Sequence, residues 1–261
     1  QGRPCQMRTL PGGTLTAADS SGIVAFTLTM TTASRIRVFQ RRLLAWYRVH
    51  QRKLPWRETH DPYQILVSEI MLQQTQVDRV VPKYHEFLRR YPTLRVLARA
   101  RTAQLRKTWY PLGYNIRPLR LRHMAQVVLR DHGGRIPDSY EGLLAMDGIG
   151  RYTAGAVLSF AFRRDAPILD TNVARLLSRY HGVRGHLKRG PTQRRLWRFA
   201  AASIPKGQAY LINQAMMDFG AMVCTARAPQ CPRCVLRQTC RSFPINGAPR
   251  RTSRARRDRR D

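Results

Sequence analysis

Apolar residues recur at helical spacing along most of the chain. The first stripe follows Arg35 and consists of Ile36, Phe39, Leu43, Leu44 and Tyr47. Intervals of three and four residues place such side chains on one face of an α-helix. The same pattern predicts further helices at Tyr63–Val77, Val80–Arg90, Thr102–Trp109, Pro118–His132, Ser139–Ala145, Arg151–Phe162, Thr171–His181, Thr192–Ser203 and Ala209–Gly220. No long alternation typical of strands follows residue 30, so the sequence predicts an all-α fold.

The net charge of the chain indicates what kind of partner it binds. The 261 residues include 47 Lys and Arg against 15 Asp and Glu, which gives a formal net charge of +32. The segment Arg250–Asp261 holds seven Arg and two Asp and contributes 7 − 2 = +5 of that charge. The remainder is basic as well, and such a surplus favours a polyanionic partner, with nucleic acid as the first candidate. The hydrophobic fraction of 43% argues against a disordered chain.

The N-terminal stretch differs from the rest. Its apolar run Gly22–Met30 is far shorter than the roughly 20 residues of a membrane span, and as a secretory segment it is weak. Met30 is a candidate start of the natural protein, so we expect residues 1–34 to be an extension without regular structure. We expect no membrane attachment and a cytoplasmic location beside the nucleoid of a prokaryote.

Four of the five cysteines cluster near the C-terminus with the spacing C-x6-C-x2-C-x5-C, at Cys224, Cys231, Cys234 and Cys240. Such a cluster is more typical of a metal site in a reducing compartment than of a disulfide framework. Four thiolates can bind either a zinc ion or a cubane iron–sulfur cluster. Zinc sites more often use two C-x2-C knuckles and only one occurs here, so the spacing favours iron–sulfur over zinc.

A pair of glycines separates two predicted helices in the segment MDGIGRYTA (146–154). Gly148 and Gly150 flank one apolar residue, and Arg151 follows them. This pattern lets a hairpin turn tightly and bring backbone N–H groups close to a phosphate. An ordinary joint between two helices has the same pattern, so the glycines alone leave both interpretations open.

Together these features carry a resemblance to a known family. The hairpin GIGRYTAGAV, the downstream Asp170 and the cysteine spacing resemble the helix-hairpin-helix DNA glycosylases of the endonuclease III superfamily. Within that superfamily the chain is similar, over about residues 36–243, to the MutY-type adenine DNA glycosylases. The motifs that carry this similarity are LPWR (54–57), DPYQILVSEIMLQQTQV (61–77), LGY (112–114), ILDTNVAR (168–175) and NQAMMDFGAMVCT (213–225).

The resemblance implies an architecture, a cofactor and a partner. It implies a six-helix barrel lobe at 61–165, with the hairpin at 146–152, and a cluster-bearing lobe formed by 35–60 and 166–243. A [4Fe-4S] cluster would be bound by the four clustered cysteines, and residues 244–261 would form a basic disordered tail. The expected partner is double-stranded DNA containing a mismatch or an oxidative lesion, bound by a monomer across the cleft between the lobes.

Two carboxylates are the candidates for catalysis. Glu69 stands among apolar residues, where desolvation would raise its pKa and keep a proton for general acid catalysis; an exposed face of an amphipathic helix is the alternative. Asp170 precedes a predicted helix as an N-cap, where backbone N–H groups and the helix dipole would keep it ionised. It is either only a cap or the charge that stabilises an oxocarbenium-like sugar. The resemblance implies that Glu69 protonates the leaving adenine and that Asp170 lies in the same pocket.

Tyr152 stands where bifunctional members of the superfamily carry a lysine nucleophile. A phenol cannot form the Schiff base that an abasic-site lyase requires, so we expect monofunctional chemistry. A tyrosine packed on the core at the start of a helix is the simpler interpretation. Because some adenine and some thymine mismatch glycosylases resemble the chain here, Tyr152 does not identify the excised base.

The resemblance also supplies the remaining site residues. Three of them would enter the duplex and fill the gap that a flipped base leaves: Gln73, Gln74 and Tyr114. Four would line the adenine pocket: Trp56, Arg57, Asn172 and Gln214. Three would hold the DNA backbone at the hairpin: Gly148, Gly150 and Arg151.

Departures from the family pattern qualify this assignment. Four positions depart from it: Asp147 replaces a proline, Pro111 a glycine, Asn115 a second tyrosine and Thr171 a glycine. Family members usually continue into a domain that reads 8-oxoguanine, whereas this sequence ends about twenty residues after Cys240. We therefore expect weak discrimination between A:8-oxoG and A:G pairs.

The sequence predicts a monofunctional base-excision DNA glycosylase that removes adenine mispaired with 8-oxoguanine or guanine. Mismatched thymine or uracil is the alternative target. A catalytically inactive DNA-binding module is the alternative class, and the presence of both Glu69 and Asp170 argues against it.

Overall fold

The structure is a computed structural model that describes residues 30–243, and over that range it is all-helical, as predicted. Its helices are α1 (Thr32–His50), α2 (Pro62–Leu72), α3 (Val77–Arg90), α4 (Leu94–Ala98), α5 (Thr102–Trp109), α6 (Arg117–Asp131), α7 (Tyr140–Leu144), α8 (Arg151–Phe160), α9 (Thr171–His181), α10 (Gly190–Ala202) and α11 (Ala209–Met222). Short 3₁₀ turns occupy Pro55–Arg57, Cys231–Arg233 and Arg237–Thr239. No helix within 30–243 is long and apolar enough to cross a membrane.

The helices pack in two adjoining groups. In one group α2 packs against α3, α6 and α8, and α5 contacts α3 and α6 while α4 lies on α6. In the other group α11 packs against α1 and α9, and α10 lies on α9. A contact between α11 and α8 joins the groups. The lobe boundaries expected from the sequence, 61–165 against 35–60 with 166–243, stay a prediction, and the expectations for 1–29 and 244–261 lie outside the described residues.

Helix α2 is buried on nearly every side. Its N-cap is Asp61, whose Oδ1 accepts a hydrogen bond of 2.8 Å from the Tyr63 N–H, and Pro62 occupies the first helical position. A helix that is apolar all round belongs in a core. Glu69 is the one charged residue in this apolar helix, and only 4% of it is exposed.

Helix α2 is also shorter than predicted. It ends at Leu72, five residues before the predicted end, because Gln73 leaves helical geometry and Gln74 has a φ of +56°. The predicted continuation to Val77 is therefore wrong, and both glutamines lie in a turn between α2 and α3. Helix α1, in contrast, begins at Thr32 with Thr31 as N-cap, so the end of the expected extension is helical.

Two glycines allow α8 and α11 to approach the segment that leads into α9. A Cβ atom on Gly155 would lie 2.3 Å from the Pro167 carbonyl oxygen. A Cβ atom on Gly220 would lie 2.9 Å from the carbonyl oxygen of Asn172. Only glycine permits such backbone approaches, so these two positions fix the start of α9 between α8 and α11.

Candidate active site

A cavity of about 740 Å³ lies between the C-terminal half of α2, the start of α9 and α11. Nine predicted site residues line it: Trp56, Arg57, Glu69, Gln73, Gln74, Tyr152, Asp170, Asn172 and Gln214. They come from five separate stretches of sequence, so the fold brings the predicted catalytic and pocket residues together. The volume lies within the range of pockets that accept small organic molecules.

Glu69 faces this cavity from the middle of α2. Its Oε2 is buried and has no hydrogen-bond partner among the described residues. Burial raises the pKa of Glu69 to about 7; the Tyr152 hydroxyl and the charge of Arg57 lower it, and the charge of Asp170 raises it further. The alternative of an exposed glutamate is therefore wrong. At neutral pH a substantial fraction of Glu69 carries a proton that it can donate.

Asp170 faces the cavity from the N-terminus of α9, where it is the N-cap. Its Oδ1 accepts a 2.7 Å hydrogen bond from the Val173 N–H, and its Oδ2 accepts a 3.2 Å bond from Asn172 Nδ2. Burial is the largest influence and raises the pKa of Asp170 above its ordinary value, while these bonds and the charge of Arg175 lower it. Asp170 thus makes the capping bond expected from the sequence, and burial adds an opposing influence that the sequence analysis did not include.

Tyr152 occupies the second position of α8, between the two carboxylates. Its hydroxyl donates to Met217 Sδ at 3.7 Å, a weak bond. Burial and the charges of Glu69 and Asp170 raise the pKa of Tyr152 well above its ordinary value, so it remains a neutral phenol. No lysine lines the cavity within the described residues.

Arg57 is fixed by a buried carboxylate that the sequence analysis did not single out. Asp218 on α11 is fully buried and accepts two hydrogen bonds of 2.8 Å from Arg57 Nη1 and Nη2. The backbone N–H of Arg52 and its Nε donate to the same carboxylate. Burial alone would raise the pKa of Asp218, but the two arginines outweigh it and lower that pKa. This bidentate arrangement orients the Arg57 side chain against the cavity.

Gln214 is oriented by a second buried partner. The Tyr47 hydroxyl on α1 donates a 2.8 Å hydrogen bond to Gln214 Oε1. Burial raises the pKa of Tyr47 to about 12, so the phenol remains a donor at any working pH. Because Oε1 is engaged by Tyr47, the Nε2 amide group is the part of Gln214 left for a bound base.

Tyr114 lies outside the cavity. Its side chain is 59% exposed, its backbone has a φ of +47°, and its ring lies 5.4 Å from the Arg117 guanidinium carbon. Gln73 and Gln74 line the cavity from the turn after α2. The resemblance places all three in one group, whereas the structure divides them between two segments.

The predicted hairpin is a tight turn into α8. Gly148 has a φ of +86°, which glycine adopts without strain. Gly150 is the N-cap of α8, and no side chain caps the first N–H groups of the helix. Uncapped N–H groups of this kind form the anion-binding sites at helix N-termini. The Arg151 guanidinium lies 4.0 Å from the Trp197 ring centre, which fixes the arginine beside the turn.

The four clustered cysteines line a second, smaller space beside α9 and α11. Arg179 Nη1 lies 3.5 Å from Cys224 Sγ and donates to the Thr225 carbonyl at 2.7 Å. Within the described residues, no three His, Cys, Asp or Glu side chains converge as they would on a single metal ion. The four thiols therefore surround a space rather than meet at one point.

Hydrogen bonds connect the cysteine segment to the cavity. Arg175 Nε donates to the Cys224 carbonyl at 2.8 Å, and its Nη2 donates to Asn172 Oδ1 at 2.7 Å. Asn172 in turn donates to Asp170. These bonds connect the start of α9 to the cysteine segment through Arg175 and to the cavity through Asp170.

Sequence reasoning missed Tyr47, Asp218 and Arg117. A charged residue inside the apolar run NQAMMDFGAM was a usable signal for Asp218, because such residues are buried only when paired. Tyr47 belongs to the apolar stripe of α1, and nothing local distinguishes it from a core residue.

Comparison with known proteins identifies the family of this chain. Residues 67–202 match the HhH-GPD superfamily of base excision DNA repair proteins. A thymine-DNA glycosylase from Aeropyrum pernix is 41% identical over 210 residues, which cover 79% of this chain and 94% of that protein. An adenine DNA glycosylase from Mycobacterium tuberculosis is 44% identical over 197 residues, which cover 74% of this chain. The chain spans 64% of the length of that mycobacterial relative.

A solved structure supports the fold independently. The structure of a thermostable thymine-DNA glycosylase superimposes with a TM-score of 0.76 at 32% identity and covers 81% of this chain and 98% of that one. The expected enzyme class is confirmed at the level of the family, since the relatives that match are named DNA glycosylases. The chain therefore belongs to the HhH-GPD superfamily of base excision DNA repair proteins, the endonuclease III-like group that its motifs predicted.

Proposed function

We propose that this protein is a monofunctional DNA glycosylase that flips a mispaired adenine out of the duplex and hydrolyses its N-glycosidic bond. The observation that carries the proposal is Glu69, a buried carboxyl with a pKa of about 7 that shares a cavity with Asp170. An acid that is half-protonated at neutral pH can donate a proton and later accept one.

The reaction follows from the two carboxylates. Glu69 donates its proton to a ring nitrogen of adenine, and the electron pair of the bond between the sugar C1′ and the base leaves with the base. The carboxylate of Asp170 stabilises the oxocarbenium charge that develops on the sugar. Water then adds its oxygen to C1′ and gives its proton to a carboxylate, which leaves an abasic site and free adenine.

The choice of adenine rests on the acid. A neutral adenine is a poor leaving group and departs readily only when protonated, whereas thymine and uracil can leave as anions. A buried carboxyl with a raised pKa is therefore more useful for adenine. The alternative is a mismatch thymine glycosylase, and it is favoured by the Aeropyrum relative, which matches over 94% of its length.

Monofunctional chemistry is supported by Tyr152. The position holds a neutral phenol, and the described lining of the cavity offers arginines but no lysine amine for a Schiff base. The uncapped N–H groups at the start of α8, with Gly148, Gly150 and Arg151, are suited to a DNA phosphate. A protein that repairs chromosomal DNA in a prokaryote would act as a monomer in the cytoplasm, beside the nucleoid.

A [4Fe-4S] cluster on Cys224, Cys231, Cys234 and Cys240 is part of the proposal. A space surrounded by four thiols suits a multi-atom cluster better than a single zinc ion, whose four sulfurs must lie about 2.3 Å from one point. When bound, the cluster would tie the 224–240 segment to α9 and α11. Purified protein should be brown, absorb near about 400 nm and contain about four iron atoms; stoichiometric zinc without iron would contradict this part.

The deciding experiment measures single-turnover base release from matched duplexes that contain A:8-oxoG, A:G, T:G or U:G. Alkali converts each abasic site into a strand break, and omission of alkali reveals any lyase activity. We expect release from the adenine duplexes, breaks only after alkali and no covalent adduct with borohydride. Faster release of thymine or uracil than of adenine would support the alternative, and no release from any duplex would support a binding module.

A further inference from the structure

Arg117, at the start of α6, is buried, with 4% of the residue exposed. Its guanidinium donates hydrogen bonds to six oxygens. These belong to the carbonyls of Ile70 (3.0 Å), Met71 (3.0 Å), Gln73 (2.5 Å), Leu112 (3.0 Å) and Gly113 (3.2 Å), and to the hydroxyl of Thr75 (3.1 Å). No other side chain among the described residues engages so many backbone carbonyls.

The six acceptors belong to two segments that are distant in sequence. Ile70 to Thr75 form the end of α2 and the turn after it, while Leu112 and Gly113 lead into Tyr114. The last carbonyls of a helix have no partner within the helix and carry partial negative charge. A guanidinium suits this position because its planar fork can bridge several oxygens at once.

Both segments contain a strained residue next to an Arg117 acceptor. Gln74 (φ +56°) lies between Gln73 and Thr75, and Tyr114 (φ +47°) follows Gly113. Non-glycine residues with positive φ persist only where surrounding contacts hold them, and they cluster at functional sites. The strain therefore marks the two positions that Arg117 holds.

The two residues also share a place in the molecule. Gln74 lines the cavity that contains Glu69, and Tyr114 is 59% exposed while its ring lies 5.4 Å from the same guanidinium. An exposed aromatic ring and an amide beside a base-sized cavity are suited to filling the gap in a duplex from which a base has moved.

We propose that Arg117 is a positioning residue for base flipping. It holds the Gln74 turn and the Tyr114 segment as one rigid two-point wedge, so that both side chains enter the duplex in the same step. The inference rests on the proposed function, because it assigns a role in extruding the target base. It assigns no role in breaking the bond, since Arg117 does not line the cavity.

The tests use Arg117→Lys and Arg117→Met. Lysine keeps the charge but cannot bridge six oxygens from one plane, and methionine removes the charge as well. Arg122 provides a matched control on the same helix: it donates to the Ala100 carbonyl and to Thr102 Oγ1, both at 3.0 Å and away from the cleft. Arg122→Lys and Arg122→Met should behave as wild type in every DNA assay below.

The first measurement is the single-turnover rate of adenine release from two substrates. One is an A:G duplex, and the other is a duplex in which the adenine lies opposite an abasic site, called the gapped substrate below. In the second substrate the adenine has no pairing partner, so its extrusion costs less free energy and depends less on a wedge. We expect Arg117→Lys to lose roughly 10- to 100-fold on the duplex and less than about threefold on the gapped substrate. Equal losses on both substrates would mean that Arg117 only maintains the fold and would overturn the proposal.

The second measurement requires no base release. A 2-aminopurine placed beside the mismatch fluoresces when its stacking is broken, so binding of wild-type protein should increase the signal. Arg117→Lys should lose most of that increase at saturating protein, while Arg122→Lys should retain it. If no duplex releases a base, the proposed function fails, and this comparison still decides whether Arg117 controls unstacking; an unchanged signal would overturn the inference.

Thermal unfolding of every variant separates loss of the wedge from loss of the fold. Should both Arg117 variants unfold, Thr75→Val provides the test, because it removes one acceptor and leaves the guanidinium in place. We then expect a smaller loss that is again confined to the duplex substrate. A Thr75→Val variant with wild-type rates and fluorescence would overturn the proposal in that case.

Discussion

Two walls of the active-site cavity each present one carboxylate: α2 presents Glu69, and the start of α9 presents Asp170. The surroundings of the two carboxylates differ. Glu69 projects from the middle of an apolar helix, and its Oε2 has no partner among the described residues. Asp170 stands at a helix N-terminus, and each of its oxygens accepts a hydrogen bond. Burial raises both pKa values, but only Asp170 has backbone and amide donors that favour its ionised form.

This difference suits the two carboxylates to the opposite roles that the proposed reaction assigns to them. A buried carboxyl without backbone donors is favoured as the neutral acid, whereas the donors at a helix N-terminus favour the anion. The proposed reaction needs one of each, an acid for the base and an anion for the sugar.

The largest effects should come from neutral amides at the two carboxylates. Glu69→Gln removes the proton and Asp170→Asn removes the charge, and each should slow adenine release by at least roughly 10²-fold. The two should differ by substrate: Glu69→Gln should hardly affect any thymine or uracil release, whereas Asp170→Asn should slow release of every base. Single-turnover rates on both kinds of duplex test this, with Kd measured to confirm binding. A Glu69→Gln enzyme that releases adenine at a near-normal rate would refute the assignment of the acid.

The two carboxylates should each set one limb of the pH dependence of the rate. Because the pKa of Glu69 is about 7, adenine release should fall about tenfold per pH unit above pH 7. Asp170 must be ionised, and its raised pKa should place the acid limb above the ordinary range of an aspartate. Asp170→Asn should retain the decline above pH 7, and Glu69→Gln should lose it. A decline that persists in Glu69→Gln would assign the titration to another group.

Stability should report Glu69 independently of catalysis. The pKa of this carboxyl is about 7 in the folded protein against 4.5 ordinarily, so the folded state binds the proton more tightly. The resulting stability is fully present below pH 4.5 and is lost as the pH rises through 7, by about 3 kcal/mol.

Glu69→Gln removes the titrating carboxyl, so the variant does not lose this stability as the pH rises. The free energy of unfolding of the variant minus that of wild type should therefore be larger at pH 8 than at pH 5. Urea unfolding at both pH values measures this, and Glu86→Gln is the control, since Glu86 is a half-buried surface residue paired with Lys83. An equal difference at both pH values would mean that burial does not govern Glu69.

The walls also differ in how far the sequence predicted them. Glu69 could be identified from its apolar neighbours, and Asp170 from its place before an amphipathic helix. The sequence could not show that burial outweighs capping in its effect on the pKa of Asp170, because this burial depends on the approach of Gly155 and Gly220 from other helices. The end of α2 could not be predicted from the sequence either. The helical pattern continues to Val77, but the helix ends at Leu72. Its last carbonyls accept hydrogen bonds from Arg117, which lies more than forty positions later in the sequence.

The α9 wall can be weakened without changing its carboxylate. Asn172→Ala removes the 3.2 Å bond to Asp170 Oδ2 and should raise the pKa of Asp170 further. A hydrogen bond to a charged group contributes about 1.5 kcal/mol, so the midpoint of the acid limb of the rate profile should rise by about one pH unit, and the loss of rate should be largest on the acid side. A pH profile of single-turnover release measures this, and a loss that is uniform across pH would show that Asn172 contacts only the base.

The smallest effect should come from behind the pocket, where Tyr47 supports Gln214. Tyr47→Phe removes the buried donor to Gln214 Oε1, so the amide can turn over and present oxygen instead of nitrogen to the base. One neutral hydrogen bond is worth about 1 kcal/mol, so kcat/KM for adenine should fall about fivefold, and the preference for adenine over other bases should weaken. Tyr63→Phe is the matched control, because Tyr63 loses an equally buried 2.6 Å bond to the Tyr91 carbonyl, away from the cavity. Both variants should lose stability, but only Tyr47→Phe should change base preference. If the two variants discriminate between bases alike, Tyr47 supports the core alone and Gln214 is oriented by the base itself.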